Sequence, residues 1–434
     1  MSDTWSVDEH LEDVLRGVRP LEPIELQLLD AQGCVLVDDV AVPAPLPPFD
    51  NSSMDGYAVR TVDVEGSSPE YPAVLTVLGD VAAGSDAQPA VGPGQAARIM
   101  TGAPLPPGAE AVVPVEWTDG GTGGGPADAM TAHSADPAAA GGEVRVHRAV
   151  VPGQHVRARG SDVEAGTVAL RAGTVLGPPQ IGLLAAIGRG SVTVRPRPRV
   201  VVLSTGSELV PPGERLGPGR IHDSNSFVLT AAARAAGALA YRVGAVTDDA
   251  DTLRSTIEDQ LIRADILVTS GGVSVGAYDV VKETLSSLEE GAGRVEFRRL
   301  RMQPGKPQGF GLVGPDRTPL LALPGNPVSA YVSFELFVRP AIRTLMGVQP
   351  VRRTPVPARL EGTEPLRSPA GKRQFLRGAY EPPAPGGKTG AVRAVGGAGS
   401  HLIAALAQAD ALIVVPEETE ELAPGAEVEV LPLD

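Results

Sequence analysis

From Arg199 to Leu345, apolar runs alternate with segments of helical period. RVVVLS, LAYRVGAV, DILVTSGG and PLLALPGNP read as strands. Between and after them helices are predicted from Asp223 to Ala236 with Gly237 as the stop, from Thr252 to Arg263, from Asp279 to Leu288 and from Val328 to Leu345. Strands that are apolar at nearly every position must be buried on both faces. A parallel sheet covered by helices on both sides meets that demand. In an open sheet of this kind, ligands bind beyond the carboxyl ends of the strands.

The rest of the chain reads differently. At 434 residues, about two to four domains are expected. The 42% of hydrophobic residues suffices for real cores, and with only 3% aromatics those cores must rest on Val, Leu, Ile and Ala. The 52 glycines and 42 prolines favour turns and short strands over a helical bundle. Residues 6–18 are predicted helical, with Val7, Leu11, Val14, Leu15 and Val18 on one face, Ser6 as N-cap and Glu9 as its capping-box partner. PAPLPP at 43–48 reads as a rigid crossing. Short Val-rich runs then suggest a small β unit over roughly 50–147, interrupted by a low-complexity stretch from Asp119 to Gly142 that is expected to be a mobile loop burying little. Past Gly347, VPARL, RQFLRGAY, AVRAV, ALIVVP and EVEVLPL predict a small barrel or sandwich.

The formal charge of −15 argues against nucleic-acid binding through a general basic surface. Cys34 is the only cysteine, so an intramolecular disulfide and a Cys-rich zinc site are both excluded. The six histidines show no paired metal-ligand spacing. The acidic, amphipathic start does not read as a signal peptide, and no apolar run approaches the roughly 20 residues of a membrane span. These features fit a cytoplasmic protein.

Four loops leave the carboxyl ends of the predicted strands: Ser204-Thr205-Gly206-Ser207-Glu208, Thr247-Asp248-Asp249, Ser270-Gly271-Gly272-Val273-Ser274-Val275-Gly276 and Pro324-Gly325-Asn326-Pro327-Val328-Ser329. Gly, Ser and Thr let backbone N–H groups approach a phosphate, although any one such loop is equally an ordinary turn. Neither a Walker A loop nor a GxGxxG fingerprint is present. Ser329 falls in the first turn of a helix, where free N–H groups favour an anion. Lys306, between Pro304-Gly305 and Pro307, is a solvated lysine unless it folds against that helix start; together the two suit a small tetrahedral oxyanion. Thr101 and Gly102 lie in a loop of similar style. Asp55, Asp162, Asp223, Asp249 and Asp279 lie in or beside loops; each reads as a turn or cap residue, or as part of a site where a hard cation such as Mg2+ offsets phosphate charge.

PFDNSSMDGYAV, IMTGAP, STGSEL, DSN, TSGGVSVGAYD, PGKP and LPGNPVSA resemble, in order and over nearly the whole chain, the signature segments of molybdopterin molybdenumtransferases, the MoeA family; the C-terminal domain of gephyrin is similar. The resemblance implies an elongated homodimer of four-domain chains: a discontinuous N-terminal domain (1–46 and 147–177), an inserted β domain (47–146), a doubly wound α/β molybdopterin-binding domain (178–346) and a C-terminal β-barrel (347–434). It implies a cleft between the α/β domain of one subunit and the inserted domain of the other, where molybdate is inserted into adenylylated molybdopterin and AMP is released. Asp55, Asp162, Asp223 and Asp279 are the implied catalytic carboxylates, and Asp55, Asp223 and Asp279 the implied Mg2+ ligands. Thr101, Gly102, Thr205, Gly206, Ser207, Glu208, Asp249, Ser270, Gly271, Gly272, Val273 and Ser274 are implied in substrate binding, and Lys306, Ser329, Arg373 and Ser400 in molybdate binding. Ser161 departs from the family, many bacterial members having Glu there. The implied partners are the substrates, a second copy and the pathway's adenylyltransferase, with no nucleic acid and no membrane. A molybdopterin adenylyltransferase would account for the α/β domain alone, but it would need neither the β unit nor the barrel. A gephyrin-like scaffold would call for further trimerising and linker segments.

Overall fold

The computed structural model describes residues 4–84, 89–130, 142–246, 249–272, 284 and 293–433. The chain divides into two compact units. One comprises Met1–Asp38, Ala172–Gly182 and Gly190–Asp434, and the other Asp39–Arg171 and Leu183–Arg189.

The first unit is built on a seven-stranded sheet. Its order is Thr4–Trp5, Gly293–Leu300, Pro307–Val313, Thr318–Leu323, Ile266–Ser270, Arg199–Thr205, Leu239–Val246. The last four strands are mutually parallel. Arg199–Thr205, first of these four in the chain, lies between the second and the third. The chain therefore winds outward from it in both directions. The helix Asn225–Ala235 covers one face and Ala250–Leu261 the other: Val200 and Val202 share a core with Leu229 and Ala233, whereas Val201 and Leu203 share one with Leu253 and Ile257. A run that is apolar at successive positions is thus buried on both sides, as its composition requires.

The sheet is not parallel throughout. Gly293–Leu300 and Pro307–Val313 extend it as antiparallel strands, which the sequence pattern did not suggest. GRVEFRRL alternates polar and apolar residues, and PQGFGLV contains Pro and two glycines, both poor strand formers. The glycines serve close approach: a Cβ on Gly309 would meet the Phe297 ring at 2.8 Å, and one on Gly311 would overlap the Arg294 carbonyl.

The predicted first helix is observed as Val7–Gly17, with its capping box in place. The Ser6 hydroxyl accepts from the Glu9 N–H at 3.1 Å, and the Glu9 carboxylate from the Ser6 N–H at 2.6 Å. The helices predicted from Asp223 and Thr252 occupy Asn225–Ala235 and Ala250–Leu261. The helix predicted from Val328 runs as Pro327–Ser333, a wide turn Phe334–Val338, then Arg339–Met346, and stops at Gly347 with φ 71°. Pro340 has no N–H to give and its ring would crowd the preceding turn, which explains the widening there. The helix predicted from Asp279 to Leu288 lies outside the described residues, apart from Thr284.

In the C-terminal part the strand Arg373–Glu381 pairs with both Gly390–Ala394 and Ala411–Val415. Val356–Glu361 and Glu427–Pro432 complete the ring, which closes a five-stranded barrel rather than a sandwich. Leu360, Val392, Ile413, Val415 and Val430 are among the residues of its core. Met302–Gln303 runs parallel to Arg373–Gln374 as an added strand.

The second unit holds a five-stranded sheet in the order Gly142–Val146, Ala73–Val81, Gln95–Ile99, Gly56–Val59, Ala111–Pro114. Its core is largely small and aliphatic, with Val59, Val77, Val113, Val144 and Val146 around Tyr57. The stretch from Asp119, expected to be a mobile loop burying little, is mostly exposed over 121–130, but the turn at its start is tied down. Asp119 is buried; its Oδ1 accepts from the N–H groups of Gly121 (2.9 Å) and Arg145 (3.0 Å), and its Oδ2 from Gly123 (3.0 Å). One carboxylate thus satisfies three backbone donors and fixes a glycine turn. Residues 131–141 lie outside the described residues.

His10 lies on the buried face of the first helix, 1% exposed, its ring 4.7 Å from that of Phe337 at 83°. Burial foremost, and then the Arg298 charge, push its pKa down from 6.5 to about 3 against the opposite pull of Asp13. The folded chain therefore holds His10 neutral where the unfolded chain would protonate it. Its contribution is complete above pH 6.5 and is lost as pH falls toward 3. His10→Gln should reduce the stability lost between pH 7 and pH 5 by about 2 kcal/mol, read from denaturant unfolding at the two pH values.

Candidate functional site

The topological switch point lies between Arg199–Thr205 and Ile266–Ser270, and the predicted loops at Thr205, Ser270 and Pro324 meet there, whereas Thr247 and Asp248 of the fourth lie outside the described residues. Gly271 donates its N–H to the Leu323 carbonyl at 3.1 Å. Its φ is 102°, and a Cβ would meet the Thr205 carbonyl oxygen at 2.5 Å. No other residue type fits this crossing without moving a strand end. Thr205 Oγ1 donates to the Ser270 carbonyl at 3.4 Å, and Ser270 Oγ donates to the Pro324 carbonyl at 3.3 Å. Asn225, from the DSN segment but assigned no role from sequence, ties the loops together: its Nδ2 donates to Ser270 Oγ at 2.8 Å and to the Gly325 carbonyl at 2.6 Å. Gly206 donates its N–H to the Val246 carbonyl at 3.2 Å. The Glu208 carboxylate folds back over it, 2.6 Å from where a Gly206 Cβ would stand. Thr205, Gly206, Ser270 and Gly271 with Gly272 thus line one edge, with Ser207 and Glu208 exposed beside them. Val273, Ser274 and Asp279 lie outside the described residues.

Two of the candidate carboxylates are occupied in building helices. Asp223 is 1% exposed; its Oδ1 accepts from Ser204 Oγ (2.9 Å) and the Ser226 N–H (3.1 Å), and its Oδ2 from Ser226 Oγ. Asp249 caps Ala250–Leu261, its Oδ2 accepting from Thr252 N–H (2.9 Å) and Oγ1 (2.6 Å), and these bonds hold its pKa below the usual carboxylate value.

The turn bearing Lys306 is tied to Ser333, the last residue of the helix Pro327–Ser333 and one turn beyond Ser329. Gln308 Nε2 donates to the Gly305 carbonyl (2.7 Å) and to Ser333 Oγ (2.6 Å), and Ser333 Oγ donates to the Ser329 carbonyl (2.7 Å). Lys306 is exposed and Ser329 buried. The Val328 N–H donates to the Ser400 carbonyl at 3.0 Å, so the barrel loop closes the same corner. Arg373 does not join it in this geometry. Its Nη2 lies 2.9 Å from Asp8 and 3.1 Å from Glu417. Burial alone would lower its pKa, but the hydrogen bonds and charges of these two carboxylates raise it overall. Arg377, which sequence reasoning missed, shapes the loop instead: Nη1 donates to the Gly399 carbonyl (3.2 Å), Nε to that of Val395 (3.3 Å) and Nη2 to that of Gly397. Burial lowers its pKa. The two arginines are four residues apart on one strand and so share a face, which is why spacing did not separate them.

In the second unit, PFDNSSMDGY is held on both sides. Asn51–Ser52 pairs with Val156–Arg157. Ser52 donates its N–H to Ala103 (3.0 Å), Gly102 donates its N–H to Ser52 (2.9 Å), and Asp50 Oδ1 accepts from the Arg159 N–H (2.6 Å). This delivers Asp55 to Thr101: Asp55 Oδ1 accepts from the Thr101 N–H at 2.6 Å and Oγ1 at 2.9 Å. Both residues line a cavity of about 520 Å³. Asp162 is exposed in a turn whose N–H donates to the Leu46 carbonyl.

A divalent cation fits these carboxylates unevenly. Among the described residues no three His, Cys, Asp or Glu side chains converge as a metal cluster. Asp55 keeps Oδ2 free of hydrogen bonds among the described residues and is exposed, as a ligand shared with substrate phosphate would be. Asp223 does not fit the metal role expected of it, because its oxygens already accept three hydrogen bonds in a buried site.

Three family models match in succession: the MoeA N-terminal region (domain I and II) over residues 5–188, a probable molybdopterin binding domain over 201–344 and the MoeA C-terminal region (domain IV) over 359–433. The chain belongs to the MoeA family. A curated relative, molybdopterin molybdenumtransferase 2 of Mycobacterium tuberculosis H37Rv, is 44% identical over 427 residues, 98% of each chain. The molybdopterin molybdenumtransferase of a Nostoc species is 36% identical, covering 99% of this chain and 93% of its own. Among solved structures, the molybdopterin biosynthesis MoeA protein of Pyrococcus horikoshii superposes with a TM-score of 0.72 at 31% identity, over 99% of both chains.

Within this MoeA chain, Asp223→Ala separates a brace from a ligand. A brace removed from a buried network should cost about 2–4 kcal/mol of stability in metal-free buffer, measured by urea unfolding.

Proposed function

We propose that this protein inserts molybdenum from molybdate into the dithiolene of adenylylated molybdopterin and releases AMP. The observation that carries the reading is that one short helix, Pro327–Ser333, is bound at its Val328 N–H by the Ser400 carbonyl and at Ser333, through Gln308, by the turn bearing Lys306, in the same unit as the glycine-rich edge of the switch point. There, Thr205, Ser270 and Gly271 spend their hydroxyl and N–H donors on strand-end carbonyls and so shape the edge at which the Ser207 loop and the Gly272 backbone would meet phosphate and pterin. Lys306 supplies a positive charge, and the buried Ser329 a hydroxyl at the positive end of a helix dipole; both favour a dinegative tetrahedral oxyanion. Arg377 keeps the Ser400 loop in place, and Arg373 could reach an anion only by leaving Asp8 and Glu417.

Asp55, oriented by Thr101, and Asp162 are the carboxylates left available for chemistry at the phosphoanhydride. Mg2+ shared by Asp55 and substrate phosphate would supply charge neutralisation there. We retain as part of the proposal the four-domain division, the homodimer in which a second subunit contributes Asp55 and Thr101, and the pathway's adenylyltransferase as donor of the substrate. Reconstitution with adenylylated molybdopterin, molybdate and Mg2+ should release AMP. Asp55→Ala should lower that rate by roughly 100-fold or more with an unchanged melting temperature. Wild-type-like turnover in the variant would overturn the role given to Asp55.

A further inference from the structure

Two backbone hydrogen bonds from distant parts of the second unit hold the segment that presents Asp55. The Ser53 N–H donates to the His155 carbonyl at 2.9 Å, and the Val115 N–H donates to the Asp55 carbonyl at 3.0 Å. One anchor lies just before the strand Val156–Arg157. The other opens the short helical turn Val115–Trp117 that follows the strand Ala111–Pro114. Side chains join the two. The His155 ring meets the Trp117 ring edge-on, with centroids 5.3 Å apart at 74°, and the Arg148 guanidinium lies 4.0 Å from the centroid of Trp117. Trp117 is packed against the core of this unit, and its carbonyl accepts from the His147 N–H at 2.8 Å. The tryptophan is thus a fixed surface for the histidine ring to rest on.

The backbone of His155 argues for a role of that ring. Its φ is 58°, and among the described residues only His155 and Arg317 are non-glycine residues with positive φ. Such a conformation favours Gly or Asn, and a larger side chain persists there only where its surroundings hold it. Here the left-handed turn brings the carbonyl to Ser53, and the ring contact with Trp117 holds the turn. We propose that His155 and Trp117 are positioning residues for Asp55: their paired rings lock the two anchors of the Ser53–Asp55 segment to one another and so fix where the carboxylate is presented. Neither residue lines the cavity that holds Asp55 and Thr101, so both act through Asp55. The inference rests on the transferase reading above and adds to it the device that holds its carboxylate in place.

AMP release by the full chain, with adenylylated molybdopterin, molybdate and Mg2+, tests it beside hydrogen exchange of the Ser53 and Val115 amides. Trp117→Leu removes the ring pair. His155→Asn also removes it, while keeping a residue that tolerates positive φ, and decides the matter if the tryptophan variant fails to fold. Each should lower kcat by about tenfold with KM for molybdate within about twofold, and should speed exchange at the two amides by about tenfold. Trp117→Phe, which keeps an aromatic surface for His155, should recover most of the rate. In the Asp55→Ala background, His155→Asn should leave the residual rate within about twofold, because the ring pair acts through that carboxylate. Unchanged exchange, turnover like the wild type, or an equal fall in both backgrounds overturns the inference and leaves the transferase reading standing. A wild type that releases no AMP overturns the transferase reading itself and the inference with it.

Discussion

Gly271 lies where the strands of the switch point end, and its missing side chain sets the geometry of everything around it. The Thr205 carbonyl occupies the space a Cβ would need, while the Gly271 N–H reaches the Leu323 carbonyl on the other side. Three strand ends are therefore drawn into contact. Ser270 and Asn225 complete the closure with hydrogen bonds to Pro324 and Gly325. The shape of this edge is therefore built by strand packing, with the Gly271 and Gly206 N–H groups held by the Leu323 and Val246 carbonyls.

The acidic side chains divide by the work they do. Asp50, Asp119, Asp223 and Asp249 each accept from backbone N–H groups that would otherwise lack partners. An acidic chain rich in Gly and Pro has many such turn donors, and carboxylates satisfy them more strongly than neutral acceptors do. Asp55 likewise accepts from the Thr101 N–H, but it lines a cavity and caps no helix.

Much of this was legible beforehand, for identifiable reasons. The strand Arg199–Thr205 and the capping box at Ser6 and Glu9 follow from local rules, and the structure shows both. Strands whose pattern is set by neighbours were not legible: Pro307–Val313 is a strand because Gly309 and Gly311 admit Phe297 and the Arg294 backbone. The loops around Thr205, Ser270 and Gly325 could be named as loops, but not Asn225 as their tie, because that contact spans 45 residues to Ser270 and 100 to Gly325. Arg373 and Arg377 present the same face of one strand, and only the carboxylates of Asp8 and Glu417 distinguish them. Low complexity after Asp119 suggested a mobile loop that buries little; residues 121–130 are mostly exposed, yet a single buried carboxylate fixes the turn at its start.

The pairing of Thr4–Trp5 with Arg299 and Leu300 has a consequence for handling the protein. Without it, Arg299 and Leu300 would present bare amide and carbonyl groups to any passing strand. Arg301 donates to the Thr4 carbonyl at 2.8 Å, and the Arg298 guanidinium lies 3.6 Å from the centroid of the Trp5 ring, so the seal is fastened at both residues. A shortened chain lacking these residues would have a sticky rim, and clumping of such a truncate would reveal nothing about native assembly.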